Sequence, residues 1–248
     1  MGETIKLRVK RQDNPEASPR WDDFEIPYRK NLNVIAMLMH IQKNPVLANG
    51  QKTAPVVYEC NCLEEVCGAC TMIINGKPQQ ACSALVDQLQ KPITLEPLTK
   101  FPVLRDLHVD RNKMFENLKK VKGWIDIDGT YDLGPGPRMA PKTQEWAYPL
   151  SRCMTCGCCA EACPNYNEKS DFMGPAAISQ VRLFNAHPTG SMQKDDRLDA
   201  IMDKGGISDC GNAQNCVQVC PKEIPLTTSI ADMGKDTVKR WISRALRA

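Results

Sequence analysis

Thirteen cysteines are the residues of this 248-residue chain best able to do chemistry, and they are clustered rather than spread out. Five lie between positions 60 and 82, five between 153 and 163, and three between 210 and 220. The N-terminal residues contain no apolar core of the kind that a secretory signal needs, so we expect a reducing compartment in which disulfides are rare. Clustered, reduced thiols are typical of metal ligation.

The first group has the spacing C-x4-C-x2-C with a fourth cysteine further on: Cys62, Cys67, Cys70 and Cys82. This is the plant-type ferredoxin pattern, which predicts a 2Fe–2S cluster. The fourth cysteine follows Asn75-Gly76, a dipeptide typical of a tight hairpin, and Gly68 stands where a side chain would crowd the cluster. The alternative is a zinc site, but a zinc ribbon usually has a second C-x2-C knuckle, which this group lacks.

The second group has the bacterial ferredoxin spacing C-x2-C-x2-C-x3-C-P: Cys153, Cys156, Cys159 and Cys163, followed by Pro164. In such a run the fourth cysteine ligates the other cluster of a pair. The third group repeats the register with Cys210, Cys216 and Cys220-Pro221, except that Ala213 stands where one cysteine is expected.

The repeated register predicts how the two groups share their ligands. The four thiolates predicted to hold a 4Fe–4S cluster are Cys153, Cys156, Cys159 and Cys220. The other set has only three: Cys163, Cys210 and Cys216. A cube that lacks a protein ligand at one corner readily loses that iron, so we predict a 3Fe–4S cluster there. Two zinc sites would explain neither the proline after both fourth cysteines nor the repeated register, and Cys60 and Cys158 remain without an assigned role.

The N-terminal part of the chain is expected to present the first group on a β-rich scaffold. The predicted strands are Thr4–Lys10, Trp21–Tyr28, Met72–Ile74 and Ile93–Leu95. A helix is expected through Val34–Ile41, with Asn31 as its cap and Pro45 after its end. Strands enclosing one helix, with cysteines on the loop after it, predict a β-grasp, plant-type ferredoxin domain over residues 1–107.

The remainder of the chain has helical periodicity. The predicted helices are Asp110–Val121, Ala176–Ala186, Arg197–Asp203 and Ile230–Leu246. The segment Gly123–Pro149 is rich in glycine and proline and is expected to be irregular. We therefore predict an all-helical, bacterial-type ferredoxin domain over residues 108–248, which places the whole chain in the α+β class.

Composition and motifs exclude several other functions. The net charge is only +3, and Lys and Arg are scattered among acidic residues, so no nucleic-acid partner is expected. The longest apolar stretch, Val34–Ile41, is far too short to cross a membrane. The three histidines do not lie beside a plausible nucleophile, and no Gly-rich nucleotide motif follows a strand. We therefore expect no catalytic residue in this chain and interpret its clusters as a path for electrons.

The chain resembles the iron–sulfur subunits of succinate dehydrogenase and fumarate reductase over nearly its whole length. The stretches that carry the resemblance are CLEEVCGAC at 62–70, INGKPQQAC at 74–82, FPVLRDLHVDR at 101–111, CMTCGCCAEACP at 153–164 and CGNAQNCVQVCP at 210–221. Their joint order, a plant-type half followed by a bacterial-type half, is highly specific.

The resemblance implies a place in respiratory complex II and the tricarboxylic acid cycle. It implies a flavoprotein partner with covalent FAD, which oxidises succinate to fumarate, and a membrane anchor, often with haem b, where quinone is reduced. The 2Fe–2S cluster would then accept electrons first and the 3Fe–4S cluster would lie nearest the quinone. The subunit is expected on the cytoplasmic side of the cell membrane, attached peripherally through its partners.

The sequence departs from this family where many relatives bind quinone. Those relatives have an aromatic pair including tryptophan after the first C-P, and a histidine after the cysteine that matches Cys210. Here Asn165 follows Pro164, and Gly211 replaces the histidine. We therefore expect a menaquinone-type variant whose quinone site lies mostly in the anchor. The stretch 165–190, with Phe172 and Met173, is a candidate for the face toward the anchor.

Three alternatives stay open at this point. Fumarate reductase would use the same clusters in the reverse direction, and nothing in this subunit decides the direction. A soluble multi-cluster ferredoxin, or the cluster subunit of another flavoenzyme, would have the same motifs without this membrane complex. A structural zinc protein would be colourless.

Overall fold

The computed structural model describes residues 3–126 and 138–247, which divide into two compact units. The N-terminal unit comprises Met1–Arg111 together with Met154–Glu161. The C-terminal unit comprises Asn112–Cys153 together with Ala162–Ala248. The main sheet lies in the N-terminal unit, and helices dominate the C-terminal unit. The mixed α and β class predicted from the sequence is therefore confirmed.

The elements follow one another in the order that the sequence patterns indicate. The strands are β1 (Thr4–Arg11), β2 (Arg20–Pro27), β3 (Thr71–Ile74), β4 (Lys77–Gln80), β5 (Ile93–Glu96), β6 (Val103–Arg105) and β7 (His108–Val109). The helices are α1 (Val34–Lys43), α2 (Asn112–Lys120), α3 (Pro141–Ser151), α4 (Cys158–Glu161), α5 (Pro175–Ala186), α6 (Lys194–Met202), α7 (Asn215–Gln218) and α8 (Leu226–Ala245). The predicted strands and helices are present, with ends shifted by a few residues.

The N-terminal unit is built on a five-stranded sheet in the order β2-β1-β5-β3-β4. Strands β1 and β5 are parallel, and the other neighbouring pairs are antiparallel. Every second residue of β1 is buried, including Ile5, Leu7 and Val9, because successive side chains of a strand point to opposite faces. The buried face packs with helix α1, which contributes Met37, Leu38 and Ile41 among others to the same core.

The cap of helix α1 differs from the prediction. Asn33, not Asn31, is the N-cap, and its side-chain Oδ1 accepts a hydrogen bond from the Ala36 N–H at 2.8 Å. The first helical residue is Val34, so the residue directly before it is the one that can reach the free N–H groups of the first turn. Asn31 instead has a left-handed backbone conformation with φ of 62°.

Part of the segment expected to be irregular is helical. Pro141–Ser151 forms helix α3, with Pro141 in the first turn, where its missing N–H costs nothing and its fixed φ favours the helix. The expectation of an irregular segment was therefore wrong for these residues. Its residues 127–137 lie outside the described part of the chain.

The C-terminal unit packs its helices around an apolar core that includes the buried charge of Arg197. Helices α5 and α8 meet with buried Ile178, Val181 and Met233, and with a 3.2 Å hydrogen bond between the hydroxyls of Ser179 and Ser229. Arg197 on α6 is 0% exposed. Its guanidinium donates to the carbonyl oxygens of Lys122, Trp124 and Gly190 and to the amide oxygens of Asn185 and Gln193. Within the described residues, no helix combines the length and apolarity needed to span a bilayer.

Candidate metal-cluster centres

The loop that carries the first cysteine group is wound tightly around one sulfur. Leu63 and Glu65 adopt left-handed conformations, with φ of 60° and 56°. These turns direct the backbone N–H groups of Glu64 and Val66 at the Sγ of Cys62, both at 3.4 Å. Hydrogen bonds of this kind stabilise a thiolate and are one of the means by which a protein sets the potential of an iron–sulfur cluster.

The four thiols of the first group are in two contacting pairs within the N-terminal unit. The backbone N–H of Glu64 is the main factor that lowers the pKa of Cys62 to about 7, and the Cys67 side chain also bonds to Cys62. Burial is the main factor that raises the pKa of Cys70 to about 12, and the Cys82 side chain contacts Cys70. The structure therefore pairs Cys62 with Cys67 and Cys70 with Cys82, and the assignment of all four to one cluster stays a prediction.

A tight hairpin returns the fourth cysteine to the other three. Asn75 and Gly76 join β3 to β4, with φ of 49° and 78°. Positive φ at both positions is the geometry of a type I′ turn, as the sequence predicts. After the hairpin, the Ala81 N–H donates to the Cys70 carbonyl oxygen at 3.1 Å, which places Cys82 beside Cys70.

The donor chemistry of the first group fits an iron–sulfur cluster. All four thiols are free, and backbone N–H groups are directed at the sulfurs of Cys62 and Cys67. A zinc site needs its ligands at about 2.3 Å from a single point. In the described part of the chain, no three or more His, Cys, Asp or Glu side chains are arranged to hold a single ion. The fit to an iron–sulfur cluster is carried by the four free thiols and the N–H groups directed at two of them.

Gly68 is required for a reason that the sequence did not reveal. Its φ is 70°, and a Cβ built on it would lie 2.7 Å from the Cα of Cys156 and 3.0 Å from the carbonyl oxygen of Met154. Distances under 3.0 Å are not tolerated by real Cβ atoms. The observed crowding therefore comes from the second cysteine group, which packs directly against this loop.

Arg111 supports the same loop and was missed by sequence reasoning. Its Nη1 donates to the Gly68 carbonyl oxygen at 2.8 Å, and its Nη2 donates to the Ala69 carbonyl oxygen at 3.3 Å and to Glu59 at 2.7 Å. The two carbonyls lie between the ligand candidates Cys67 and Cys70. The signal in the sequence is that Arg111 ends the stretch 101–111, one of those that carry the family resemblance, and this gives no hint of its contacts.

The second group contributes residues to both units. Cys156 and Cys159 belong to the N-terminal unit, whereas Cys153 and Cys220 belong to the C-terminal unit. The Cys220 sulfur accepts a hydrogen bond from the Ile224 N–H at 3.4 Å. These four residues remain the predicted 4Fe–4S ligands.

Cys158, left without a role by the spacing, is fully buried beside Cys156. A hydrogen bond from the Cys158 side chain is the main factor that lowers the pKa of Cys156 to about 7. The same bond, followed by burial, raises the pKa of Cys158 far above the ordinary range of a thiol. The contact with Cys156 and burial therefore both oppose ionisation of the Cys158 thiol.

The third set lies wholly within the C-terminal unit. Burial is the main factor that raises the pKa of Cys216, and the charges of Cys163 and Cys210 raise it further. That influence places Cys163 and Cys210 within electrostatic range of Cys216, and their assignment to one cluster stays a prediction. Asn212 and Gln214 both have left-handed conformations, with φ of 52° and 62°, so the loop turns sharply around Ala213, which carries no sulfur. Three free thiols fit a trinuclear cluster.

Two features beside Cys163 bear on the expected quinone and anchor surfaces. A Cβ at Gly211 would lie 2.9 Å from Oδ1 of Asn165, whose Nδ2 donates to the Asp209 carbonyl oxygen at 2.8 Å. Asn165 therefore fills the space next to Gly211. Phe172 and Met173 are only 2% and 3% exposed, so these two side chains belong to the core. The placement of the stretch 165–190 toward the anchor stays a prediction.

Comparison with known domain families identifies both halves of the chain. Residues 6–116 match the 2Fe-2S iron-sulfur cluster binding domain, and residues 149–224 match the 4Fe-4S dicluster domain. The two matches confirm a 2Fe–2S domain and a 4Fe–4S-type domain in the predicted order.

Whole-chain relatives extend this result. The chain is 66% identical over 234 residues to the succinate dehydrogenase iron-sulfur subunit of Bacillus subtilis, covering 94% of this chain and 92% of that protein. It is 29% identical over 243 residues to the fumarate reductase iron-sulfur subunit of Wolinella succinogenes, covering 96% and 99%. A solved chain of the Mycobacterium smegmatis Sdh1 complex in the apo form shares the fold, with a TM-score of 0.82, 24% identity and coverage of 97% and 98%.

Proposed function

The chain belongs to the family of iron–sulfur subunits of succinate dehydrogenase and fumarate reductase, and we propose that it transfers electrons from a flavin subunit to membrane quinone. It is the electron-transfer subunit of a succinate dehydrogenase. The observation that carries this function is the 66% identity to the Bacillus subtilis subunit over 94% of the chain. The Wolinella succinogenes relative named fumarate reductase is only 29% identical, so succinate oxidation is favoured over the reverse direction.

The proposed ligand sets are those that the spacing predicts. A 2Fe–2S cluster would be held by Cys62, Cys67, Cys70 and Cys82; a 4Fe–4S cluster by Cys153, Cys156, Cys159 and Cys220; and a 3Fe–4S cluster by Cys163, Cys210 and Cys216. When bound, these clusters supply one-electron redox chemistry in that order, from flavin to quinone. The pairing of the first four thiols and the proximity of the last three support the assignment.

The chain itself contributes the environment of each cluster. Backbone N–H groups directed at Cys62, Cys67 and Cys220 stabilise negative charge on these sulfurs. Arg111 fixes the loop between Cys67 and Cys70 through its carbonyl oxygens. We assign no catalytic residue, since succinate would be oxidised on the flavin subunit.

We propose that the two units are ferredoxin domains of different types. The sheet order β2-β1-β5-β3-β4 with α1 against it supports a β-grasp, plant-type domain over residues 1–107. The helices from α2 onward and the match at 149–224 support an all-helical, bacterial-type domain over residues 108–248.

The proposed partners are an FAD-containing flavoprotein and a membrane anchor that carries the quinone site and haem b. The subunit would then lie peripherally on the cytoplasmic side of the cell membrane. Similarity to a succinate dehydrogenase subunit supports assembly with partners. Gly211 and the Asn165 that packs against it support a menaquinone-type variant.

Low-temperature EPR on the purified complex tests the proposed function. Spectra are recorded as isolated, after succinate and after dithionite. We expect a 3Fe–4S signal in the oxidised sample that disappears on adding succinate. If all centres respond only to dithionite, the proposed clusters are present but their electron donor is another flavoenzyme. Fumarate reduction faster than succinate oxidation would instead favour the second candidate, fumarate reductase.

A further inference from the structure

We propose that a cavity among helices α3, α5, α6 and α8 of the C-terminal unit binds a phosphate dianion, either free or as the end group of a phosphomonoester. The cavity has a volume of about 350 Å³, and no cysteine is among the described residues that line it. Ligand sites in proteins typically have volumes of about 300–1,000 Å³. The space therefore suits a phosphate with a small organic group, and the proposal does not depend on the cluster assignments.

The cations that line the cavity outnumber its acidic residues. Four basic side chains and two carboxylates line it: Arg182, Lys194, Lys235 and Lys239, with Asp232 and Asp236. Each carboxylate is shared by two of the cations, at nitrogen–oxygen distances from 2.6 to 3.6 Å. Two positive charges are left without a carboxylate to balance them. A bound dianion would supply that balance.

Arg182 is held in place to receive an anion. Its guanidinium lies over the Trp146 ring, 4.3 Å from the ring centroid. Its Nη1 donates to the Ser229 hydroxyl at 3.4 Å, and its Nη2 lies 2.6 Å from Asp232. These partners engage two of the five N–H groups of a guanidinium, so donors remain for a ligand. A planar guanidinium that is already fixed binds phosphate oxygens with little further loss of side-chain freedom.

Asn185 supplies an independent reason to expect an acceptor in the cavity. Its Oδ1 accepts a hydrogen bond from Nη1 of Arg197 at 3.1 Å, which fixes the orientation of the amide. Its Nδ2 is buried and has no acceptor among residues 3–126 and 138–247. A buried donor without a partner destabilises the folded state. Because Asn185 lines the cavity, an anion bound there would satisfy this donor.

A phosphate group meets both requirements at once. It carries its two charges on a single tetrahedral group, whose oxygens accept hydrogen bonds from donors on several helices. A water molecule beside Asn185 would satisfy the amide but would leave the positive charges unbalanced. A single carboxylate would balance only one of them.

Isothermal titration calorimetry of the purified complex, at constant ionic strength, tests the proposal. The titrants are inorganic phosphate and glycerol 3-phosphate, used at about pH 7.5, where a phosphate monoester is mostly dianionic. The comparison of the two titrants separates a free phosphate from a phosphomonoester, and variants of the cavity locate the binding.

The first variant is K235Q/K239Q, which removes two of the cavity's cations. The side chains of Lys235 and Lys239 are 73% and 77% exposed, so their replacement leaves the core intact. Lys119→Gln is the matched control. Like Lys239, Lys119 is an exposed lysine paired with an acidic residue three positions before it, but it lies on α2 and does not line the cavity.

Two further variants change charge in opposite directions. Asn185→Asp keeps an acceptor for Arg197 and replaces the unpaired donor by a carboxylate oxygen. Asp236→Asn removes one of the two negative charges of the cavity.

We expect wild type to bind phosphate with a dissociation constant of about 1 mM or below. K235Q/K239Q and Asn185→Asp should each weaken binding by about tenfold or more, the factor that corresponds to losing one hydrogen bond to a charged group. Asp236→Asn should tighten binding, a gain that unfolding does not produce, and Lys119→Gln should leave it unchanged. Tighter binding of glycerol 3-phosphate than of phosphate would identify the ligand as a phosphomonoester, and the reverse order would identify it as free phosphate.

Absence of binding by the wild-type complex at about 10 mM of either titrant would overturn the inference, since the site would then be weaker than the proposed affinity. So would equal affinities in K235Q/K239Q, Asn185→Asp and Lys119→Gln, because the phosphate would then bind elsewhere in the complex.

Discussion

Ala213 is the residue that distinguishes the third cysteine group from the second. It lies on a sharply turned loop between Asn212 and Gln214, at the position where the bacterial-type run has a cysteine. We expect Ala213→Cys to supply a fourth thiolate and convert the 3Fe–4S cluster to 4Fe–4S, adding about one iron atom per chain.

The conversion is checked by iron analysis and EPR of the oxidised complex, in which the trinuclear signal should be lost. Ala213→Ser is the control, because it adds a similar volume without a thiolate and should leave the trinuclear signal in place. A trinuclear signal that persists in Ala213→Cys would show that this corner of the cluster is wrongly assigned.

Arg111 is the second residue with a specific expected effect. Arg111→Met removes the donors to the Gly68 and Ala69 carbonyl oxygens and to Glu59. Leaving such acceptors unpaired costs about 1–3 kcal/mol each where they are buried. We expect lower 2Fe–2S occupancy and normal occupancy of the other two clusters, measured by EPR spin quantification. Arg105→Met, at an exposed arginine of β6, should behave as wild type; equal occupancy in both variants would contradict the proposed role.

At the scale of the helices, replacing the buried arginine of α6 should lower the stability of the protein more than replacing an ion-paired arginine of α8. Arg197 donates to five oxygens and is 0% exposed, so Arg197→Met leaves several buried acceptors unpaired and should destabilise the C-terminal unit by about 3 kcal/mol or more. The thermal unfolding midpoint of the purified complex measures this effect.

Arg240→Met is the matched variant for that comparison. Arg240 bonds Asp195 at 2.6 Å and Asp199 at 2.8 Å near the surface, where ion pairs contribute about 1 kcal/mol or less. We therefore expect a clearly smaller drop in the unfolding midpoint than for Arg197→Met. Similar drops for the two variants would show that the buried hydrogen bonds of Arg197 stabilise the protein no more than the ion pairs of Arg240.

At the scale of the whole molecule, one assay tests which quinone the complex reduces. Asn165 fills the space beside Gly211, and the proposed menaquinone-type variant rests on this departure from the pattern that the family resemblance implies. We expect the purified complex to reduce a menaquinone analogue with succinate as donor. Efficient ubiquinone reduction without menaquinone reduction would refute the menaquinone-type assignment.

The two compact units are not each one continuous segment of the sequence. Met154–Glu161 groups with the N-terminal unit, although it follows that unit's main segment by more than forty positions. Thr99 and the Lys100 N–H both donate to Glu161, at 2.5 and 3.0 Å. A periodicity-based boundary near residue 107 has no means of finding this grouping, because the contacts join residues distant in the chain.

Cysteine spacing and hydrophobic periodicity were sufficient to predict a 2Fe–2S domain followed by a 4Fe–4S-type domain, and most helices and strands. The reason is that a cluster-binding loop, a hairpin and an amphipathic helix are each local structures. The residues that each of them requires therefore lie at short, fixed intervals in the chain. The same local rules failed by two residues at the cap of α1, where Asn31 and Asn33 are equally good caps by composition and only the register of the first turn selects Asn33.

The tertiary structure decided which residues surround those loops. Arg111 reaches the carbonyls of Gly68 and Ala69 across more than forty positions, and Gln80 reaches Cys158 across 78. The need for glycine at 68 likewise comes from Cys156, far along the chain. Such contacts depend on how the chain folds back on itself, and no spacing or periodicity within one segment encodes them.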